Sequence, residues 1–281
     1  MNNLKQLSLT VATGLLAIGL QAPFSFITQA QEADKRTDVI SAQEIINKAE
    51  LAAYYAGNDG KTQARMMIID EQDRRQVRQF TILRKDVEDG GDQKMLVFFS
   101  RPADVSGMVF RVEKRNKISE DDDRWLYLPG LDLVKRISAG DKRTSFVGSH
   151  FFYEDVSGRS TKADTFELIS QNDTRYILKA TPKQPNEVEF NYYQIEIDKQ
   201  TYLPMLIDFY DSNNNKYRSV ETLETETISG HVTVTKSKIT DLKAGGYTLM
   251  EFRNISYDIG LPDSIFTERS LKTPPVEWLR K

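Results

Sequence analysis

From residue 62 to residue 257 the sequence alternates apolar and polar residues in short runs parted by turn signals, a rhythm that confines it to antiparallel β-structure. The runs lie at 62–70, 75–84, 93–100, 108–113 and 124–128, then at 165–170, 175–181, 192–197, 205–210, 216–225, 231–240 and 248–257. Met108, Phe110 and Val112 share one face of their run, and Tyr193/Ile195/Ile197 and Met205/Ile207/Phe209 each give a wholly apolar face. Residues 211–215, Ser229-Gly230 and Ala244-Gly245-Gly246 read as hairpin turns. About eleven or twelve strands linked by successive hairpins predict one continuous, strongly curved sheet in a mainly β fold with a few helices.

A helix precedes the strands. Ser41 and Glu44 stand at capping-box spacing, and Ile45, Ala49, Ala52 and Ala56, flanked by Ile46 and Ala53, fall on one helical face. Gly57-Asn58-Asp59-Gly60 stops it after about four turns. Residues 129–163 break the β rhythm with five spaced Gly and Pro residues (Pro129, Gly130, Gly140, Gly148 and Gly158), predicting a loop with short helical pieces. The expected organisation is a flexible stretch at 31–40, a single domain at 41–272 and a tail at 273–281.

Residues 1–30 carry an export signal: Lys5, an apolar run from Leu7 to Leu20 too short to span a bilayer comfortably, and Thr28-Gln29-Ala30 as a cleavage site. Cleavage after Ala30 sends the mature chain to the periplasm of a Gram-negative bacterium. Zero Cys removes a lipoprotein anchor, disulfides, thiolate metal sites and thiol nucleophiles together. Loss of Lys5 moves the net charge from −3 to −4, which argues against a general nucleic-acid binder. An outer-membrane barrel is disfavoured by charged alternate positions such as Arg75 and Lys236/Lys238.

Groups with chemical potential are sparse, and no enzyme is expected. His231 reads as an exposed strand residue, and Ser149, His150 and Asp155 lie close in sequence without a nucleophile elbow. The acidic run Glu120-Asp121-Asp122-Asp123 lacks the alternating ligands and central Gly of a calcium loop and reads as a solvated turn. No catalytic set, metal site or cofactor site emerges. Lys135 and Arg136 are candidates for contact with an anionic head group or an acidic partner. Aromatic residues gather where the sheet meets the irregular stretch, and with Met they suit an adaptable apolar pocket.

The segments Trp125-Leu126-Tyr127-Leu128-Pro129, Lys135-Arg136-Ile137, Ser145-Phe146 with Gly148-Ser149, and Phe152-Tyr153-Glu154-Asp155 resemble a bacterial family, the outer-membrane lipoprotein-sorting proteins, in a divergent LolA-like branch. Further matches are Phe99-Ser100-Arg101-Pro102-Ala103-Asp104-Val105, Lys179-Ala180-Thr181-Pro182-Lys183, Tyr202-Leu203-Pro204, Phe209-Tyr210-Asp211, Leu261-Pro262-Asp263 and Phe266-Thr267. The resemblance implies an incomplete antiparallel β-barrel closed by helices and a loop lid, LolA/LolB-like, around a cavity for acyl chains. It implies a carrier for a lipoprotein or lipid bound for an outer-membrane acceptor; the alternative is an accessory protein of a resistance-nodulation-division-type inner-membrane exporter.

The candidate cavity wall is Phe80, Ile82, Met95, Phe99, Met108, Phe110, Trp125 and Tyr127, with Phe146, Phe151 and Phe152 as the lid. Phe110 and Trp125 are expected to share the concave face, and Ile207 to lie outside the pocket.

Overall fold

The computed structural model describes residues 40–88, 90–117 and 119–279. The export signal and the flexible stretch expected before residue 40 lie outside them. Among the described residues no helix is long and apolar enough to cross a membrane.

The chain opens with helix α1 (Ala42–Tyr54), whose start is set as its sequence requires: Glu44 N donates to Ser41 Oγ at 3.1 Å. Such a cap contributes about 1 kcal/mol. The first meander comprises β1 (Asp59–Ile69), β2 (Arg75–Asp86), β3 (Gln93–Arg101), β4 (Val109–Lys114), β5 (Asp123–Leu128) and β6 (Leu133–Ile137). The second comprises β7 (Asp164–Gln171), β8 (Arg175–Pro182), β9 (Tyr192–Asp198), β10 (Pro204–Tyr210), β11 (Lys216–Ile228), β12 (His231–Asp241) and β13 (Tyr247–Tyr257). Among the described residues these thirteen strands form one sheet, in the order β6-β5-β4-β3-β2-β1-β13-β12-β11-β10-β9-β8-β7. The neighbour pairs are antiparallel, and β1 pairs with β13 to join the two meanders. Register shifts, as at Lys61/Gln63 and Gln79/Phe80, bend the sheet into an incomplete barrel.

This order explains why the sequence rhythm fails after residue 128. Strands β6 and β7 are opposite edges of the sheet, so residues 138–163 must cross its inner face to connect them. The crossing segment, here termed the strap, carries the short helix α2 (Tyr153–Ser157). Strand β6 itself lies in the stretch expected to be loop, and it is the strand missing from the sequence reading.

The core divides by face. On the inner face of the first meander, Ala64, Met66, Phe80, Val97, Phe99, Phe110 and Leu126 pack with Phe146 and Tyr153 of the strap. On the second meander, Ile45, Ile46 and Ala49 of α1 pack on Leu178, Tyr193, Ile195 and Phe209. The outer face of the first meander, with Leu83, Leu96 and Val109, is covered by Leu261, Ile265, Phe266 and Leu271. Helix α3 (Arg269–Lys272) belongs to this cover, and so does α4 (Val276–Leu279), where Trp278 and Leu279 pack within the stretch expected to be a tail. Asp59 ties the cover to β1 by accepting from Ile259 N and Leu261 N, each at 2.7 Å.

Candidate ligand cavity

Between α1, the strap and the sheet lies a cavity of about 320 Å³, near the lower end of ligand-pocket sizes. It opens where the two inner-face clusters part, and Val220 packs against both. Helix α1 contributes Ile46, Ala49 and Ala53, and the two alanines leave room beneath the helix. The sheet contributes Phe80 and Ile82, then Tyr193, Ile195, Ile207, Phe209, Val220, Ile239, Met250 and Phe252. Phe151 and Val156 come from the strap.

Charged residues reach the cavity wall, but they neutralise one another. Arg143 Nε and Nη2 donate to the two carboxylate oxygens of Glu189, each at 2.6 Å, and Nη1 donates to Glu154 Oε2 at 2.7 Å. Arg159 forks onto Asp164 at 2.8 and 2.9 Å, and Tyr193 Oη donates to the same carboxylate at 2.9 Å. Arg218 binds Asp155, and Thr161 Oγ1 donates to Glu50 Oε2 at 2.7 Å. Burial would raise the Glu154 carboxyl, but Arg159 and Arg143 outweigh it and hold it below the usual carboxylate range. Burial, reinforced by Asp164, pushes the Tyr193 phenol well above its ordinary value, so it serves as a donor. The guanidinium of Arg143 also lies 5.1 Å from the Phe152 ring and that of Arg218 4.3 Å from it. The strap is thus clamped to the second meander by buried ion pairs and cation–π contacts.

The structure distributes the sequence-derived wall residues over three places. Phe80 and Ile82 line the cavity, as does Phe151 of the expected lid. Met95, Phe99, Met108 and Phe110 share their face of the sheet but are sealed in the packed core. The seal is Phe146, whose ring centroid lies 5.7 Å from Phe99, 5.5 Å from Phe110 and 5.5 Å from Tyr153. Phe146 is therefore a plug rather than a lid. Phe152 is held between Arg143 and Arg218 instead of over the opening.

Trp125 and Tyr127 are on the outer face, beneath the C-terminal cover. Register gives the reason: Phe110 stands opposite Leu126, while Trp125 stands opposite Arg111, whose guanidinium stacks on it at 4.8 Å. The expectation that Phe110 and Trp125 share a face fails by one residue. Lys135 and Arg136 are exposed on the edge strand β6, far in the sheet order from the strands of α1's cluster. Ile207, expected outside the pocket, lines it. The wall residues missed in the sequence were signalled by the small-residue stripe of α1 and by the apolar faces of β9 and β10.

The groups considered for chemistry are occupied structurally. Ser149 Oγ donates to Phe146 O at 2.7 Å, His150 Nδ1 and Thr248 Oγ1 are 2.8 Å apart, and Asp155 accepts from Phe152 N while pairing with Arg218. His231, expected to be exposed, is half-buried edge-on to Tyr257. The acidic run is ion-paired rather than simply solvated: Asp122 binds Arg124, Asp123 binds Arg136 at 2.8 Å, and Glu120 binds Lys117 at 2.9 Å. Burial raises the Asp122 carboxyl. Among the described residues no group of three or more His, Cys, Asp or Glu is arranged to hold a metal ion.

A family model described only as that of an uncharacterized-protein-like family matches residues 91–273, more than half of the chain. No curated protein matches it. Among solved structures, a DUF1329 family protein from Desulfovibrio piger is 29% identical with a TM-score of 0.74, over 81% of this chain and 95% of the other. A domain from Vibrio parahaemolyticus, provisionally described as an outer membrane lipoprotein-sorting protein, is 24% identical with a TM-score of 0.75, over 82% and 98% of the two chains. The LolA superfamily protein NE2245 from Nitrosomonas europaea is 18% identical with a TM-score of 0.63, over 82% and 99%. The last two likenesses concern the fold, an open sheet around an inner face crossed by a strap and a helix. The family match, with the Desulfovibrio relative beside it, makes the chain a member of the DUF1329 family, whose fold is LolA-like.

Proposed function

We propose that this protein is a non-enzymatic periplasmic carrier, which shelters an acyl chain of a lipoprotein or lipid in the cavity beneath α1 during passage towards the outer membrane. The observation that carries the reading is the cavity wall: apolar side chains from a helix and both meanders, with each charged group at its border already paired. Such a wall offers a hydrocarbon chain about 0.8 kcal/mol per buried CH₂ and offers an ionic head group no free counter-charge. Export by residues 1–30 and the lipoprotein-sorting description of the Vibrio fold relative agree with it.

Binding of a fluorescent fatty acyl probe tests the reading. The purified protein should bind the probe equally with and without chelator. Ile207→Asp places a carboxylate against the chain, between Ile195 and Val220 on the neighbouring strands. It should weaken binding by about 2 kcal/mol or more, roughly thirtyfold, while the protein stays folded because the site keeps access to cavity water. Phe110→Asp, a charge in the sealed core, should instead prevent folding. Normal probe affinity in folded Ile207→Asp would remove the cavity as the acyl site.

A further inference from the structure

The two edges of the sheet are not alike. Along β7, Phe166 and Leu168 pack against the cluster under α1, so one face of that edge is covered. Along β6, Leu133 to Arg136 are exposed on both faces of the sheet, as are residues 129–132 leading into it, while Ile137 at the strand's end is buried. Leu131, Leu133 and Val134 are 73%, 46% and 37% exposed, three aliphatic side chains within four residues, whereas the other exposed aliphatics, such as Ile169 on β7, stand singly in the sequence. Among the described residues no strand pairs with the outer side of β6, so its backbone N–H and C=O groups on that side have no protein partner there. Immediately after the aliphatic residues come Lys135 and Arg136, one on each face of the strand. Lys135 has no ion-pair partner among the described residues, and the partner of Arg136, the half-buried Asp123, is shared with Arg115.

We propose that β6 is a docking edge for an extended, acidic segment of a partner protein, which adds to the sheet as a further strand. The observations choose among occupants. A membrane surface would satisfy Leu131 and Leu133 but would drive unpaired backbone groups of the edge towards hydrocarbon, where they have nothing to bond. A second copy pairing symmetrically about the centre of the strand would set Lys135 directly opposite its own counterpart, a like-charge cross-strand pair. Pairing of β6 with β7 of another copy would be head-to-tail, building a ring or a filament rather than a simple pair, which sedimentation would detect. A partner strand with two adjacent acidic residues followed by two adjacent aliphatic ones, added antiparallel, meets every feature at once: it completes the backbone ladder, covers Leu133 and Val134 on their two faces, and brings carboxylates opposite Lys135 and Arg136. The proposal rests on the edge alone and does not depend on what the cavity holds.

Amide hydrogen exchange followed by NMR tests it on the ¹⁵N-labelled mature protein. The probes are a heptapeptide with a central Glu-Glu-Val-Val and its counterpart with lysine in place of glutamate. The acidic peptide should slow exchange at residues 133–137 and bind at least tenfold more tightly than the basic one. In the double variant Lys135→Glu/Arg136→Glu, whose side chains are exposed so that the thermal midpoint should hold, the preference should invert. Four results would overturn the proposal: protection by neither peptide, which leaves the basic pair as a guard against pairing; equal affinity of the acidic peptide for the double variant; protection of the segment by phosphatidylglycerol vesicles in place of the peptide; or self-association through β6 seen in sedimentation.

Discussion

Phe146→Ala is expected to lower the stability of the protein by about 3–5 kcal/mol, the range for removing an aromatic side chain from a closed core. Phe146 is fully buried where Phe80, Phe99, Phe110 and Tyr153 converge, and its backbone is fixed by a 2.7 Å bond from its N–H to Phe151 O. The neighbouring turn leaves little freedom for refilling the space, since Val147 and Gly148 both have positive φ. For a chain of this size the thermal midpoint should fall by roughly 6–20 °C. Equilibrium denaturant unfolding checks the free energy. A loss below about 1 kcal/mol would make Phe146 the detachable flap that the sequence suggested, rather than the plug of the inner face.

Arg143→Met should also be damaging, though by less than the roughly 3–5 kcal/mol of breaking a fully buried pair, because Glu154 keeps Arg159 and Glu189 is open to solvent. Methionine keeps the apolar stem but neither the fork onto Glu189 nor the bond to Glu154. If the charge left on Glu189 contributes, Glu189→Gln in the same protein should recover part of the loss. The pH dependence has a definite sign. Both carboxyls are held below their usual range in the folded protein, so their contribution is present above the ordinary carboxylate range and is lost as pH falls through the depressed values. The gap in thermal midpoint between native protein and Arg143→Met should therefore narrow on acidification. A gap that stays constant from neutral pH to below the carboxylate range would show that packing, not charge, makes Arg143 important.

What could be read in the sequence was local, and what could not was set by distance along the chain. Helix α1 was legible because Ser41, Glu44 and the alanine stripe declare its start and its buried face within four turns. The hairpin strands were legible because alternation and turn residues travel together. Strand β6 was hidden because both its faces are exposed, so Leu133-Val134-Lys135-Arg136 has no period to detect. The strap was hidden because its shape depends on Arg218 and Glu189, residues remote in sequence, and not on any local pattern. Trp125 was misplaced for a different reason. Its strand is apolar on both faces, since the outer one is covered by the C-terminal segment, and alternation then cannot say which phase points inward.

The clamp formed by the strap and the helix gives the carrier account a physical shape. Rigid ion pairs keep the inner face open beside the plug, and the cavity stays apolar because each charge at its border is satisfied. Affinity for monoacyl probes of increasing chain length, measured by titration calorimetry on the mature protein, tests this most directly. The account predicts tighter binding by about fourfold per added CH₂, then a plateau once the chain fills the cavity. In Val220→Phe, which adds bulk where the two apolar clusters meet, the plateau should arrive at a shorter chain. Affinity that ignores chain length, or a plateau that Val220→Phe leaves in place, would contradict the claim that the cavity beneath α1 is where an acyl chain is carried.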